Sequence, residues 1–373
     1  MEIGARAEDA ITPVEPAFTL VQSGPWVLVV GMHRSGTSAV AGLVAALGLA
    51  DPTPGDLMDS MPDNPHHHES LSLTALNDKV LRNLGGWWFA PPEPPSSWAD
   101  IGDFAALANE AAAAAAAAFP EPGPRVWKDP RTALVLPFWR LLLPQSPAVF
   151  IWRTPMAVAQ SLQHRDGLSQ AHGLALWHCY NRAALLGLAG SPTYVVGYED
   201  LLGHPMDVAL EIARFLDVHL CIPRSGDPDI AAAAGAVSAD LEHERRAEAL
   251  PDEQSRFVLL LRRLRGSHHS FAPGALPDLP LWVRDYLSDR RTQETGASDA
   301  RAIMVSQQVE ITRLAAENGG LAAERDRLAG EVADAAQLAR RLAQELESIR
   351  HSRSWLVTMP MRRLGAVLRK ALR

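Results

Sequence analysis

The sequence predicts an α/β fold in which a parallel sheet is flanked by helices. Residues 26–30 and 148–152 are short apolar runs, which are typical of strands buried on both faces. Helical patterns follow at 39–49 and 156–163, and this alternation of strand and helix is typical of a parallel sheet. A glycine-bearing turn at 31–38 joins the first strand to its helix, as in the opening unit of such a sheet.

The remaining elements continue the same alternation along the chain. Apolar spacing predicts a helix at about 69–84 and longer helices at 174–188 and 206–216. A third strand is expected at 194–198, where aromatic and β-branched residues are concentrated. The alanine run at 111–118 favours a plain helix, because alanine has the highest helix propensity.

Composition excludes several classes of protein. The 373 residues allow one large core or two modest domains, at about 100–200 residues per domain. Two cysteines exclude a disulfide scaffold, and a net charge of -8 argues against bulk nucleic-acid binding. No apolar run reaches the roughly 18 residues of a membrane span. The first 24 residues lack the apolar segment of a signal peptide, so we expect a cytoplasmic protein.

The turn at 31–38 has the features of a phosphate-binding loop between a strand and a helix. It differs from the ATP-binding P-loop because Thr37 stands where that motif has lysine. Arg34 provides positive charge elsewhere in the loop, and hydroxyl groups come from Ser35, Thr37 and Ser38. This set suits one terminal phosphate better than a triphosphate with magnesium. An ordinary strand-to-helix turn is the alternative.

A second anion site is expected after the strand at 148–152. Arg153 ends that strand, and Ser161 lies near the start of the next helix. An arginine and a helix N-terminus both favour bound anions, and ligands bind at the carboxyl ends of parallel strands. The alternatives are a surface arginine that caps the strand and an ordinary helical serine.

These motifs together resemble the sulfotransferases that use 3′-phosphoadenosine 5′-phosphosulfate (PAPS), over roughly residues 25–220. The loop looks like the family's 5′-phosphosulfate loop, and Arg153 with Ser161 is similar to its 3′-phosphate motif. Residues 198–201 resemble the segment after a later strand. The resemblance implies a P-loop-like fold, PAPS as the sulfate donor and no metal. The donor-binding residues that it implies are His33, Arg34, Ser35, Gly36, Thr37, Ser38, Arg153, Ser161 and Tyr198.

Residues 127–131 look like the lysine-bearing segment of bacterial, carbohydrate-type and tyrosyl-protein members of that family. Sulfuryl transfer resembles phosphoryl transfer, in which catalysis depends on positioning and charge stabilisation. We therefore expect Lys128 and Arg34 to neutralise the oxygens of the moving group. Alternatively, Asp129 and Arg131 form structural ion pairs with each other or with Lys128.

Glu69 is the expected general base. It ends an Asn-Pro segment, and the resemblance implies a glutamate at this place. A carboxylate within reach of the acceptor can take its proton, more readily if burial raises its pKa. A first-turn helix glutamate is the alternative interpretation. A histidine base, His66 or His67, is another, with His33 a weaker candidate.

Trp87, Trp88 and Trp98 lie in a proline-rich loop at 85–100. Flat aromatic faces there would suit a sugar, although they would equally roof the core. We expect the acceptor to be a hydroxyl on a carbohydrate or a glycolipid. A P-loop small-molecule kinase is one rival, and Thr37 speaks against it. A non-catalytic scaffold that presents the C-terminal helix to partners is the other.

The predicted organisation has five parts: a flexible arm at 1–24, the sulfotransferase domain at 25–265, a linker at 266–300, a coiled coil at 301–350 and a basic tail at 351–373. The linker is predicted from its prolines and glycines.

Apolar residues at 3–4 spacing from Ile311 to Ile349 predict a dimerising coiled coil. Asn318 is a polar interruption of the kind that fixes register. One long helix packed back on the catalytic domain is the alternative. The stretch from Arg350 to Arg373 has no acidic residue and alternates basic with apolar residues. It suits an anionic membrane surface or an acidic partner, or it is a solvated basic end.

Overall fold

The computed structural model describes most of the chain as two compact units, Met1–Arg301 and Ala302–Arg373. The predicted N-terminal arm lies almost entirely outside the described residues. Those residues are 24–59, 67–144, 146–220, 229–237, 252–266, 276–296 and 298–371.

A four-stranded parallel sheet forms the centre of the first unit. Its strands are β1 Trp26–Val30, β2 Arg125–Lys128, β3 Ala148–Trp152 and β4 Thr193–Gly197. They lie in the order β2-β1-β3-β4, and every neighbouring pair is parallel. Every residue of the four strands is buried, which explains the continuous apolar runs of β1 and β3. The predicted α/β class is confirmed.

Helices connect the strands and cover both faces of the sheet. In the first unit they are α1 Thr37–Ala46, α2 Leu71–Asn83, α3 Phe104–Ala118, α4 Thr132–Leu142, α5 Pro155–Asp166, α6 Gln170–Leu188, α7 Tyr198–Gly203, α8 Pro205–Leu220, α9 Ile230–Gly235, α10 Asp252–Leu264 and α11 Leu281–Gly296. Helix α12 spans Ser298–His351, and helix α13 spans Arg353–Ala371.

The core consists of two apolar layers, one on each face of the sheet. Leu28 and Phe150 point into the layer that contains α2, α3, α4 and α6. Val27 and Val149, their neighbours in sequence, point into the layer that contains α1 and α8. This alternation follows from the two-residue period of a strand. The carboxyl edge of the sheet stays available for loops.

The sequence does not predict strand β2, because only two apolar residues stand between Arg125 and Lys128. Both of these charged residues are buried. The Arg125 guanidinium lies 5.0 Å from the ring centre of Trp26 and 5.6 Å from that of Phe119. Its Nε also donates to the Gly123 carbonyl at 3.2 Å. Cation–π contacts therefore let a charged residue occupy a buried edge strand.

The predicted linker at 266–300 contains a packed helix, α11, and this is a correction. Val283 and Leu287 are buried, one helical turn apart. Tyr286 Oη lies 3.2 Å from Ser169 Oγ, at the start of α6. Arg182 of α6 donates to the carbonyl of Pro277 at 2.9 Å. Prolines and charges around two anchoring apolar positions give this segment the composition of a linker.

The second unit is made of α12 beyond Arg301 and of α13. Helix α12 extends over 54 residues. The apolar side chains that the structure describes along it, from Leu321 to Ile349, are exposed. Among the helices in the described ranges, none combines the length and the apolar character needed to cross a membrane.

Candidate active site

The carboxyl ends of all four strands carry residues that the sequence singles out. Gly31 follows β1, and Lys128 is the last residue of β2. Arg153 follows β3, and Tyr198 follows β4 as the first residue of α7. In a parallel sheet these ends lie along one edge, which is where ligands of such folds bind.

Residues 31–38 form a tight loop that leads into α1. Gly36 is the N-cap of that helix, with φ of 92°, and it provides no side-chain cap. A Cβ at position 36 would lie 2.4 Å from a ring carbon of Tyr198, so only glycine fits there. Arg34 also has a positive φ of 65°. The loop therefore leaves the first backbone N–H groups of α1 available to an anion.

The predicted 3′-phosphate residues lie against this loop. The Nε of Arg34 donates to Ser161 Oγ at 2.8 Å. Arg153 donates from Nη1 to the carbonyl of Arg34 at 3.3 Å, and its guanidinium lies 4.5 Å from the ring centre of Tyr198. The Arg153 carbonyl in turn accepts from Trp177 Nε1 at 2.8 Å. The structure thus brings Arg34, Arg153 with Ser161, and Tyr198 together from three separate parts of the sequence.

Arg34 is placed differently from Lys128. The sequence assigns both cations to the moving sulfuryl group, but the Arg34 side chain bonds Ser161. Lys128 instead points to the opposite part of the loop, where its Nζ donates to Ser38 Oγ at 3.0 Å. The structure therefore groups Arg34 with Arg153 and Ser161.

Lys128 and Glu69 form a buried ion pair. Nζ of Lys128 lies 2.5 Å from Glu69 Oε1, and the two side chains are 1% and 8% exposed. Glu69 stands immediately before Ser70, the N-cap of α2. Because Lys128 also bonds Ser38, it lies between the loop at 31–38, called the phosphate loop from here on, and the Glu69 carboxylate. The predicted base and the predicted catalytic cation are in contact.

The pKa of Glu69 is held below its usual value. Burial alone raises this pKa, but the charge of Lys128 and then that of Arg131 outweigh burial. The condition under which burial would help the base, a raised pKa, is therefore not met. The sequence does not reveal how close Lys128 comes. The Glu69 carboxylate is therefore ionised at neutral pH.

A buried polar network stands behind the ion pair. Asp129 is fully buried and accepts from Asn77 Nδ2 at 2.7 Å and from Arg131 Nη1 at 3.1 Å. Arg131 also forms an ion pair with Asp78, at 2.7 Å. Burial raises the pKa of Asp129 to about 6, an effect that Arg131 opposes and Glu69 reinforces. Asp129 and Arg131 are thus the ion pair that the sequence left as an alternative, and α2 anchors the segment that carries Lys128.

The histidines around the site have different surroundings. His67 Nδ1 lies 4.0 Å from Glu69 Oε1, and His68 Nδ1 lies 2.8 Å from Asp51 Oδ2. His66 lies outside the described residues. His33 is buried, and burial followed by the charge of Arg131 lowers its pKa well below the usual value. His33 is therefore neutral at physiological pH.

The tryptophan-bearing loop is fixed through its backbone. The carbonyl of Trp88 accepts from Tyr180 Oη at 2.7 Å, and that of Phe89 from His172 Nε2 at 2.6 Å. Arg291 of α11 donates to the carbonyl of Pro91 at 2.8 Å. No spacing in the sequence indicates these supports, because each joins residues more than 80 positions apart.

The loop also packs against the phosphate loop. The ring centre of Trp88 lies 4.8 Å from that of His33. Trp88 and Trp98 both contact the core, which agrees with the interpretation that these tryptophans cover it. The ring of Trp87 instead lies parallel to that of Phe89, with centres 6.4 Å apart. Trp87, Trp88 and Phe89 therefore form an aromatic surface, called the aromatic wall, beside the phosphate loop.

These features define an α/β protein with a glycine-bearing loop after its first strand and cations at the ends of other strands. The Sulfotransferase family matches residues 25–221, more than half of the chain. The chain therefore belongs to the Sulfotransferase family, and the resemblance noted in the sequence is confirmed. No curated protein matches it.

Eleven chains among the solved structures match, and two of them are described here. One is described as the sulfotransferase domain from the curacin biosynthetic pathway; it is 17% identical, with a TM-score of 0.36, covering 64% of this chain and 98% of that one. The other is described as the sulfotransferase domain from the Synechococcus PCC 7002 olefin synthase; it is 18% identical, with a TM-score of 0.35, covering 71% and 94%.

Proposed function

We propose that the protein transfers a sulfuryl group from PAPS to a hydroxyl group of a carbohydrate or a glycolipid. The observation that supports the proposal is that the residues of the two predicted anion sites lie together at one sheet edge. Arg34 of the loop bonds Ser161, and Arg153 bonds the Arg34 backbone. PAPS carries phosphate groups at both ends of its ribose, and two adjoining sites suit such a donor.

The donor-binding assignment follows the two sites. The first N–H groups of α1 and the hydroxyls of Ser35, Thr37 and Ser38 would hold the 5′-phosphosulfate. The Ser35 hydroxyl is buried and has no hydrogen-bond partner among the described residues, so it remains available to a ligand. Arg153, with Ser161, would hold the 3′-phosphate. Arg34 joins this second group, rather than the catalytic cations, because its side chain bonds Ser161.

The transfer step needs a cation and a base, and Lys128 and Glu69 suit these roles. The acceptor oxygen attacks sulfur, the bond from sulfur to the donor's bridging oxygen breaks, and 3′,5′-adenosine bisphosphate leaves. Lys128 lies beside Ser38 and would stabilise charge on the sulfuryl and bridging oxygens. Glu69, ionised by its neighbours, would take the acceptor proton.

The acceptor class rests on the aromatic wall. Trp87 and Phe89 lie parallel and are partly exposed, and Trp88 packs on His33 of the phosphate loop. Flat apolar faces beside hydrogen-bonding groups are typical of sites that hold sugar rings. The backbone bonds that fix this loop keep the faces in one position, which favours recognition of a rigid ring.

Calorimetric titration with 3′,5′-adenosine bisphosphate tests the donor assignment. We expect metal-independent binding that is tighter than the binding of ATP with magnesium, because Thr37 replaces the P-loop lysine. Arg214→Ala, an exposed change on α8, is the control and should not alter the affinity. A preference for ATP with magnesium would instead support the kinase, and binding of neither nucleotide would support the scaffold.

We also propose that α12 forms a homodimer as a coiled coil. Leu342 and Leu346, four residues apart, are 54% and 51% exposed, so a complementary helix would cover them. The full chain should have the mass of a dimer by light scattering. Replacing both leucines by lysine should halve that mass, whereas Leu259→Lys on α10 should not. A monomeric wild-type chain would refute the proposal.

A further inference from the structure

Helix α13 does not continue the apolar pattern of α12. Helix α12 ends at His351, and both the N–H and the hydroxyl of Ser352 donate to the carbonyl of Ile349. The 3–4 pattern that ends at Ile349 would next reach 353, 356, 360 and 363, which include two arginines and a proline. The register that predicts a coiled coil therefore stops at this break.

A new apolar stripe begins one position out of step. Val357, Met361 and Leu364 follow 4–3 spacing, and they are 77%, 77% and 68% exposed. At 3.6 residues per turn, the three lie within an arc of about 60° on one face of α13. A partner helix that packs along the apolar stripe of α12 would have to rotate about its own axis to contact the stripe of α13. The second stripe therefore calls for a different occupant.

The charges of α13 also differ from those of α12. Helix α12 carries nine acidic and seven basic residues, whereas α13 carries five basic residues and no acidic one. Arg362 and Arg369 lie on one side of the apolar stripe of α13, and Arg363 lies on the other. All three side chains are exposed. An apolar stripe with cations on both flanks is the pattern of a helix that lies in a membrane interface.

We propose that α13 docks on an anionic lipid bilayer, parallel to its surface. Val357, Met361 and Leu364 enter the boundary between headgroups and acyl chains, while the arginines contact anionic headgroups. A nucleic acid would match the charge but not the apolar stripe, and a coiled-coil partner would match the stripe but not the excess of positive charge. Helix α13 has too few apolar residues to span the bilayer. This inference does not depend on the proposed transfer reaction.

Co-sedimentation of the full-length protein with vesicles tests the proposal. We expect binding to phosphatidylcholine vesicles that contain about 30% phosphatidylglycerol, and weak binding to pure phosphatidylcholine. Replacing Arg362 and Arg363 together by glutamate should weaken the binding to the anionic vesicles at least about tenfold. Met361→Glu with Leu364→Glu should weaken it as well, because the stripe can no longer enter the bilayer.

The matched control is Arg340→Glu with Arg341→Glu, the same change of charge at two adjacent exposed positions of α12. It should retain the vesicle binding of the wild-type protein. Circular dichroism of every variant checks that the helices are intact. If the variant at Arg340 and Arg341 lost as much vesicle binding as the variant at Arg362 and Arg363, net charge alone would explain the effect. That result would overturn the proposal. Absence of vesicle binding by the wild-type protein would also overturn it, in favour of an acidic protein partner or a solvated end.

Discussion

Glu69→Gln should lower turnover by about 10²–10⁴-fold, the usual contribution of a general base. The affinity for 3′,5′-adenosine bisphosphate should stay within about twofold, since Glu69 lies on the far side of Lys128 from the phosphate loop. Glutamine keeps an oxygen that can accept from the buried Lys128, so the substitution removes the base without leaving the ammonium group unpartnered. Glu110→Gln, which alters the exposed ion pair with Lys79, is the matched control.

The pH dependence of kcat/KM separates this base from a histidine. Only the ionised carboxylate accepts a proton, and its neighbours hold the pKa of Glu69 below the ordinary value of about 4.5. A rate that depends on Glu69 should therefore stay level on acidification until the pH falls below that value. If His67 were the base, the rate would begin to fall near the usual histidine pKa of about 6.5.

His67→Gln completes this test. Its Nδ1 lies 4.0 Å from Glu69 Oε1, close enough to influence the carboxylate without bonding it. We expect a small change in rate, with the level profile retained. If Glu69→Gln kept full turnover while His67→Gln lost it, the base would have to be reassigned to the histidine.

The sequence predicts the strand-end residues because each follows a recognisable pattern. The glycine loop follows an apolar strand, and Arg153 follows another, so the rule for parallel sheets places both at one edge. The sequence does not predict that the side chain of Arg34 turns toward Ser161. That contact depends on the positive φ of Arg34, which nothing in the composition of the loop indicates.

The direction in which the pKa of Glu69 shifts is also not predictable from the sequence. Burial and a neighbouring cation act in opposite directions, and their balance depends on the distance between the charges. Strand β2, which carries Lys128, is itself hidden by the charged residues at both of its ends. The sequence therefore indicates which groups take part, whereas the sign of the shift requires the structure.

Helix α2 links the two halves of the catalytic pair. Glu69 stands just before it, and Asn77, two turns further along, bonds Asp129, the residue after Lys128. The Nε1 of Trp139 donates to Asn77 Oδ1 at 2.7 Å, which fixes the amide. A shift of α2 would therefore move the carboxylate and the lysine together. This arrangement pairs the buried charged groups with one another and with a hydrogen-bond donor on α2, as a buried charged network requires.

Arg153→Ala should weaken binding of 3′,5′-adenosine bisphosphate by about 10–100-fold, the effect of losing a charge-assisted contact to phosphate. It should leave the affinity for adenosine 5′-monophosphate nearly unchanged, because that nucleotide lacks the group that Arg153 would hold. Calorimetric titration of both nucleotides into both proteins gives the four affinities. The difference between the two losses isolates the contact with the 3′-phosphate.

These four affinities also distinguish the loss of the 3′-phosphate contact from general damage to the site. Arg153 bonds the Arg34 backbone and packs on Tyr198, so its removal also deletes two contacts that hold the loop. A loosened loop would weaken the binding of both nucleotides equally, since the proposal places the 5′-phosphate at that loop. Equal losses would therefore refute the assignment of Arg153 to the 3′-phosphate. Ser161→Ala, which removes only the hydroxyl that bonds Arg34, should show a smaller loss with the same preference for the bisphosphate.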